Sequence, residues 1–204
     1  MLFFDRNFFL QTTPLHLLLM AGLLFYTSHN VNTALMVFFA VCFITGITVE
    51  IIGTSTGMLF GNYAYGQVLG PGIKNVPLII GVNWFIIMYC CAAAIESLFI
   101  YLASKYPPAT VKQSNLIKHI SIIVDGATLA VLFDIVLEPA AIKLGYWQWA
   151  GDGSVPLYNY FCWFLVSLCL LAICRLLKLQ IKNKFAVNLL LIQIMFFLLV
   201  TTFL

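Results

Sequence analysis

The chain has 204 residues, of which 63% are hydrophobic and only 8% charged, with a formal net charge of +3 and a mean hydropathy of +1.04. Soluble domains carry roughly 25% charged residues, so this composition excludes a water-covered globule and points to a bundle of membrane helices. The small positive charge sits in short loops, which gives nucleic-acid binding no support.

A spanning helix needs about 20 apolar residues, and six runs of that kind follow in order. Helix 1 is expected over 8–27, with Pro14 opening its regular part, and helix 2 over 31–52. Helix 3 follows at 77–102, helix 4 at 118–138, helix 5 at 157–177 and helix 6 at 185–204. Arg6 precedes the first run as in a secretory leader, but no A-x-A cleavage pattern follows, so the segment is expected to be retained. Between the helices lie a Gly-rich segment at 53–76, a basic loop at 103–117, an aromatic loop at 139–156 and a basic turn at 178–184. The expected class is all-α: one polytopic transmembrane domain over 1–204.

Lys and Arg in short loops set the orientation. One face collects Lys105, Lys112, Lys118, Arg175, Lys178, Lys182 and Lys184, and the other Arg6, Lys74 and Lys143. This asymmetry predicts a multi-pass protein of the cell membrane with the 103–117 and 178–184 loops in the cytoplasm.

An internal repeat runs through the middle of the chain. The first copy reads Glu50, Gly61-x-Tyr63-x-Tyr65, Val76-Pro77-Leu78 and Trp84; the second reads Glu138, Gly145-x-Trp147-x-Trp149, Val155-Pro156-Leu157 and Trp163. Helices 2 and 4 run in the same direction, so the copies form parallel repeats, with halves at about 46–100 and 130–177. An axis along the membrane normal then brings corresponding loops together at one face.

Five of the seven acidic residues, Glu50, Glu96, Asp125, Asp134 and Glu138, fall inside or at the ends of apolar helices. A carboxylate there costs about 2.5–3.5 kcal/mol on insertion scales, and a carboxyl group without a cation nearby tends to keep its proton. An acid that stays protonated in an apolar site is what acid catalysis requires. Connectivity puts Glu50, Asp134, Glu138, Asn83, Trp84, Asn159 and Trp163 at one face, with Tyr63, Tyr65, Trp147 and Trp149 in its loops. Asp134 and Glu138, four apart, share one side of helix 4. Taken singly, each has a plainer explanation. A terminal Glu can reach the headgroups, interfacial Trp and Tyr form belts, and Gly53, Gly57 and Gly61 at every fourth position suit close helix packing. Glu96 and Asp125 lie nearer the opposite face, where they could form a hydrogen-bonded pair, and a structural or proton-relay role is expected of them ahead of direct chemistry. The six cysteines form no CxxC pair, and His16, His29 and His119 show no ligand spacing, so neither a metal nor a redox centre is expected.

The stretch E-I-I-G-T-S-T-G-M-L-F-G-N-Y-A-Y-G from Glu50, with Asn75-Val-Pro-Leu and Asn83-Trp84, resembles the integral-membrane carotenoid 1,2-hydratases and bisanhydrobacterioruberin hydratases. Asp134-Ile-Val-Leu-Glu-Pro, Gly145-Tyr-Trp-Gln-Trp, Val155-Pro-Leu and Asn159-Tyr-Phe-Cys-Trp163 resemble that family's second motif region. The similarity covers roughly 46–165. Glu138 stands before Pro139 where the family favours Asp, and the chain is one helix shorter than some relatives. The resemblance implies addition of water across the terminal C1=C2 bond of an acyclic carotenoid, without a cofactor. It implies Glu50, Asp134 and Glu138 as the catalytic set, with Tyr63, Tyr65, Asn83, Trp84, Trp147, Trp149, Asn159 and Trp163 around the substrate. The implied partners are a lipid-soluble carotenoid, the bilayer and other enzymes of carotenoid synthesis. A carotenoid cyclase, a transporter and a structural membrane subunit are the competing readings: product analysis separates the first, the lack of mid-span helix breaks argues against the second, and tolerance to loss of the acids marks the third.

Overall fold

The computed structural model describes residues 5–28, 31–106 and 115–204, so His29 and Lys112 lie outside the described residues. Six helices follow in order: α1 (Arg6–Tyr26), α2 (Thr33–Thr56), α3 (Ile79–Lys105), α4 (Asn115–Leu144), α5 (Leu157–Leu176) and α6 (Lys184–Phe203). All six are long and apolar enough to cross a bilayer, and the chain is a multi-pass membrane protein. Side chains cap three of the helix starts. Asp5 accepts from the Phe8 amide at 3.1 Å, Asn32 from Leu35 at 3.0 Å and Asn183 from Ala186 at 3.2 Å, each satisfying an N–H that the helix leaves unpaired.

Three boundaries differ from the sequence reading, each for a local reason. Pro14 lies within α1, not at its start, because Asp5 caps the helix upstream. Helix α2 runs on through Gly53 to Thr56 and stops at Gly57, whose left-handed backbone (φ +66°) turns its N–H onto the Gly53 carbonyl at 2.8 Å. Gly57 and Gly61 therefore shape the exit of α2 instead of packing one helix on another. Helix α4 passes through Pro139 to Leu144. A mid-helix proline costs about 3 kcal/mol, offset here by burial of Ala140, Ala141 and Leu144 beyond it.

Helix α3 occupies the centre, packed on α1, α2, α4 and α6. From Trp84 to Met88 it is buried all round, as expected of a helix that is apolar on every side. Close approach of α2 to α3 depends on two glycines. A Cβ on Gly81 would sit 2.7 Å from the Phe43 ring and 2.9 Å from its carbonyl oxygen, and one on Gly46 would sit 2.5 Å from Trp84 Cδ1.

The connections at the α2–α3 and α4–α5 end form two small sheets. Strands β2 (Gly72–Ile73) and β3 (Val76–Pro77) make a hairpin leading into α3. Strand β1 (Tyr63–Tyr65) pairs antiparallel with β4 (Trp147–Trp149), in the register Tyr63 with Trp149, Ala64 with Gln148 and Tyr65 with Trp147. Gly66 N–H donates to Tyr146 O at 2.8 Å and Ala150 N–H to Asn62 O at 2.9 Å, so the flanking bonds interchange when the two sequence copies are exchanged. At the same end, Arg6 donates to the Lys143 carbonyl and Lys143 to the Thr201 carbonyl, joining α1, α4 and α6.

Candidate active site

Side chains alternate across a strand, and the sequences Tyr-Ala-Tyr and Trp-Gln-Trp use that alternation. Ala64 and Gln148 are exposed, while Tyr63, Tyr65, Trp147 and Trp149 all turn to the other face of the ribbon, toward the helix ends. Glu50 from the last turns of α2 meets them. Its Oε2 accepts from the hydroxyls of Tyr63 and Tyr65, the latter at 2.7 Å, and its Oε1 accepts from Trp84 Nε1 at 3.1 Å. Glu138 on α4 is held in a matching way: its Oε2 accepts from Trp147 Nε1 and Trp149 Nε1, both at 2.9 Å. Burial, and then the neighbouring Glu50 carboxylate, push both phenols well above the ordinary tyrosine range, so they remain donors.

Asp134 lies one turn before Glu138 and is fully buried. Its Oδ2 accepts from Asn159 Nδ2 at 2.8 Å, whereas Oδ1 has no hydrogen-bond partner among the described residues. The position matching Asp134 in the first copy is Gly46, where the missing side chain leaves room for Trp84. Trp84 in turn stacks on its counterpart Trp163, with ring centroids 4.2 Å apart and planes 17° apart. A stacked indole pair thus joins α3 to α5 beside the carboxyl groups.

All eleven residues singled out above as catalytic or substrate-binding line one pocket of ≈ 30 Å³, with Phe60, Ile80 and Leu137. That is room for ordered water, which needs only about 10–15 Å³ of such space. The pocket shares walls with two larger spaces. Toward the loops, a polar vestibule of ≈ 480 Å³ shares Tyr63 and Tyr65 with it and is lined by Thr54, Ser55, Lys74 and Asn75. An apolar chamber of ≈ 290 Å³ among α1, α3, α4 and α6 shares Ile80, Asn83, Leu137 and Trp147.

The model of the carotenoid biosynthesis protein family matches residues 12–204. The chain belongs to the carotenoid biosynthesis protein family. This member of the family is also 27% identical over 120 residues to a bisanhydrobacterioruberin hydratase from Haloarcula japonica, an alignment covering 57% of this chain and 36% of that protein. It therefore spans little more than a third of that relative's length. No solved structure matches.

The two remaining acids of this carotenoid biosynthesis protein stand apart from the pocket, and they do not pair with each other. Glu96, 1% exposed, bonds Lys118 Nζ at 2.8 Å, lies 3.9 Å from Arg175 Nη1, and accepts from the Ile181 amide at 2.9 Å. The cations that hold it come from the start of α4 and the end of α5, a pairing that helix-by-helix reading misses. Asp125 is exposed on the outer side of α4. Phe60 escaped the sequence reading altogether, since nothing in the sequence marks a buried Phe with φ +64°. Gln193, on the wall of the apolar chamber, has a signal in the sequence: with Asn188 it is one of two amides in the apolar run of α6.

Proposed function

We propose that the protein is a carotenoid hydratase, adding water across the terminal C1=C2 double bond of an acyclic end group by acid catalysis. One observation carries this reading: three buried carboxyl groups line a small pocket that shares walls with a polar vestibule and with an apolar chamber. Hydration of a hydrocarbon needs water from one side, a greasy end group from the other and an acid where they meet. The family and the hydratase relative support the same chemistry.

In this scheme a carboxylic acid gives its proton to C2, and the π electrons of the double bond form the new C–H bond, leaving a tertiary cation at C1. Water from the pocket attacks C1, and a carboxylate takes the proton that the water loses, so the product is a tertiary alcohol; passage of that proton back to the donor carboxylate restores the starting state. The hydrogen-bond inventories support one allocation of roles. Glu50 accepts from three donors and Glu138 from two, as ionised carboxylates do. Asp134 Oδ1 has no donor and is the oxygen from which a proton can be given. Asp134 is then the acid, with Glu138, one turn away, receiving the proton from water. Trp84 and Trp163 line the pocket and supply the aromatic rings that stabilise the cation. A cyclase would have to keep water from the same cation, and a pocket with room for water beside a polar vestibule favours hydration.

The test is expression in a bacterium that makes an acyclic carotene, with pigment masses read per amount of membrane-inserted protein. Asp134→Asn and Glu50→Gln should each lower the hydrated product by about 10²–10⁴-fold, while Asp125→Asn leaves it near normal. Near-normal product from both pocket variants would overturn this site, and a cyclised product of unchanged mass would replace hydratase with cyclase.

A further inference from the structure

The apolar chamber contains a polar group that a pure hydrocarbon would not need. Gln193 projects from α6 into its wall, is 6% exposed, and has an Oε1 with no hydrogen-bond partner among the described residues. Its Nε2 reaches only Met20 Sδ, at 3.7 Å. A buried amide with an unmade hydrogen bond is costly, and a leucine at this position would line the chamber without that cost. The chamber is also placed to receive a chain from the bilayer: His16 on α1 and Ile192 on α6 stand exposed at its rim, while its inner wall is the wall of the acid pocket. A dry cavity of about 150 Å³ holds one benzene ring. By that measure ≈ 290 Å³ takes a segment of about ten to twelve carbons, or two isoprene units.

We infer that this chamber seats the hydrocarbon adjoining the reacting end, and that Gln193 hydrogen-bonds a hydroxyl carried on that stretch. The inference rests on the hydratase reading for its substrate class and adds a specificity residue to it. A hydroxyl both donates and accepts, so it satisfies whichever end of the amide faces the chamber. The preferred ligand is an acyclic polyene with a hydroxyl within two isoprene units of its terminal double bond, in preference to the unsubstituted hydrocarbon.

The full chain, purified in detergent, is loaded with two probes of one carbon skeleton, an acyclic C40 polyene with and without such a hydroxyl, and retained pigment is measured per protein. The wild type should retain the hydroxylated probe about three- to tenfold better, the worth of one hydrogen bond, and Gln193→Leu should retain both alike. Should the leucine variant fail to fold, Gln193→Met carries the same comparison. Equal retention by the wild type, or an undiminished preference in the variant, overturns the role of Gln193. Leu17→Trp, which fills the chamber from α1, should lower retention of both probes, and unchanged retention would overturn the seat itself. Water addition is scored separately on the same samples. A retained preference with no hydrated product would sink the hydratase reading and leave the seat standing.

Discussion

A carboxylate taken from water must have its lone pairs satisfied, and the donors around Glu50 and Glu138 are aromatic side chains that keep bulk water out as they bond. Trp147 and Trp149 are each 9% exposed, which is too buried for a belt at the headgroups. Because hydrogen bonds to charged groups are worth about 1.5–3 kcal/mol, Tyr65→Phe should lower product per inserted protein by about tenfold to a hundredfold. Unchanged product would remove the phenol from the mechanism. Trp147→Phe and Trp149→Phe keep the ring and lose the donor; since both indoles serve the same oxygen of Glu138, their effects should be non-additive in a double-mutant cycle. The pocket acids were legible from the sequence because ionisable groups in apolar runs are expensive enough to stand out. Asp125 stood out equally and lies on the outer surface, since composition does not tell which side of a helix faces inward.

At the scale of elements, apolar run length fixed six helices but not their ends, which caps and proline set locally. The β1–β4 ribbon was read as loop because three-residue strands offer too short a pattern, although Tyr-Ala-Tyr and Trp-Gln-Trp do alternate with period two. The contacts of α3 are where substitutions should strike the fold itself. Gly81→Ala would press a methyl group on the Phe43 ring and carbonyl of α2, and overpacking of this kind costs about 1–3 kcal/mol. Its signature is a lower unfolding temperature with near-normal product per folded protein. Glu96→Gln acts at the far end, where it removes the charge facing Lys118 and turns one of the two oxygens that accept from Lys118 and the Ile181 amide into a donor. Breaking a buried pair costs about 3–5 kcal/mol, and less here because Lys118 is 29% exposed. Loss of folded protein, not of turnover per folded protein, is the expected outcome; the reverse would place Glu96 in the chemistry.

For the whole molecule, the arrangement matters because water and hydrocarbon must reach one pocket from different phases. We propose that the segments near 46–100 and 130–177 are two like halves that build such a place between them. Their unlike residues, Gly46 against Asp134 and tyrosines against tryptophans, convert a symmetric interface into a site with one extra acid. This scheme requires the loops after α2 and α4 to lie on the same side of the membrane, opposite the turn before α6. From the Lys and Arg bias we propose that the latter side is the cytoplasm. Reporter fusions at residues 110 and 180 should therefore report cytoplasm, and fusions near 70 and 150 the exterior. An inverted pattern would reverse the orientation and leave the site intact, because the ribbon depends only on α2 to α5. Fusions at 70 and 150 reporting different sides would be incompatible with the β1–β4 pairing, and with it the carboxyl pocket and the route by which water meets the polyene end would be lost.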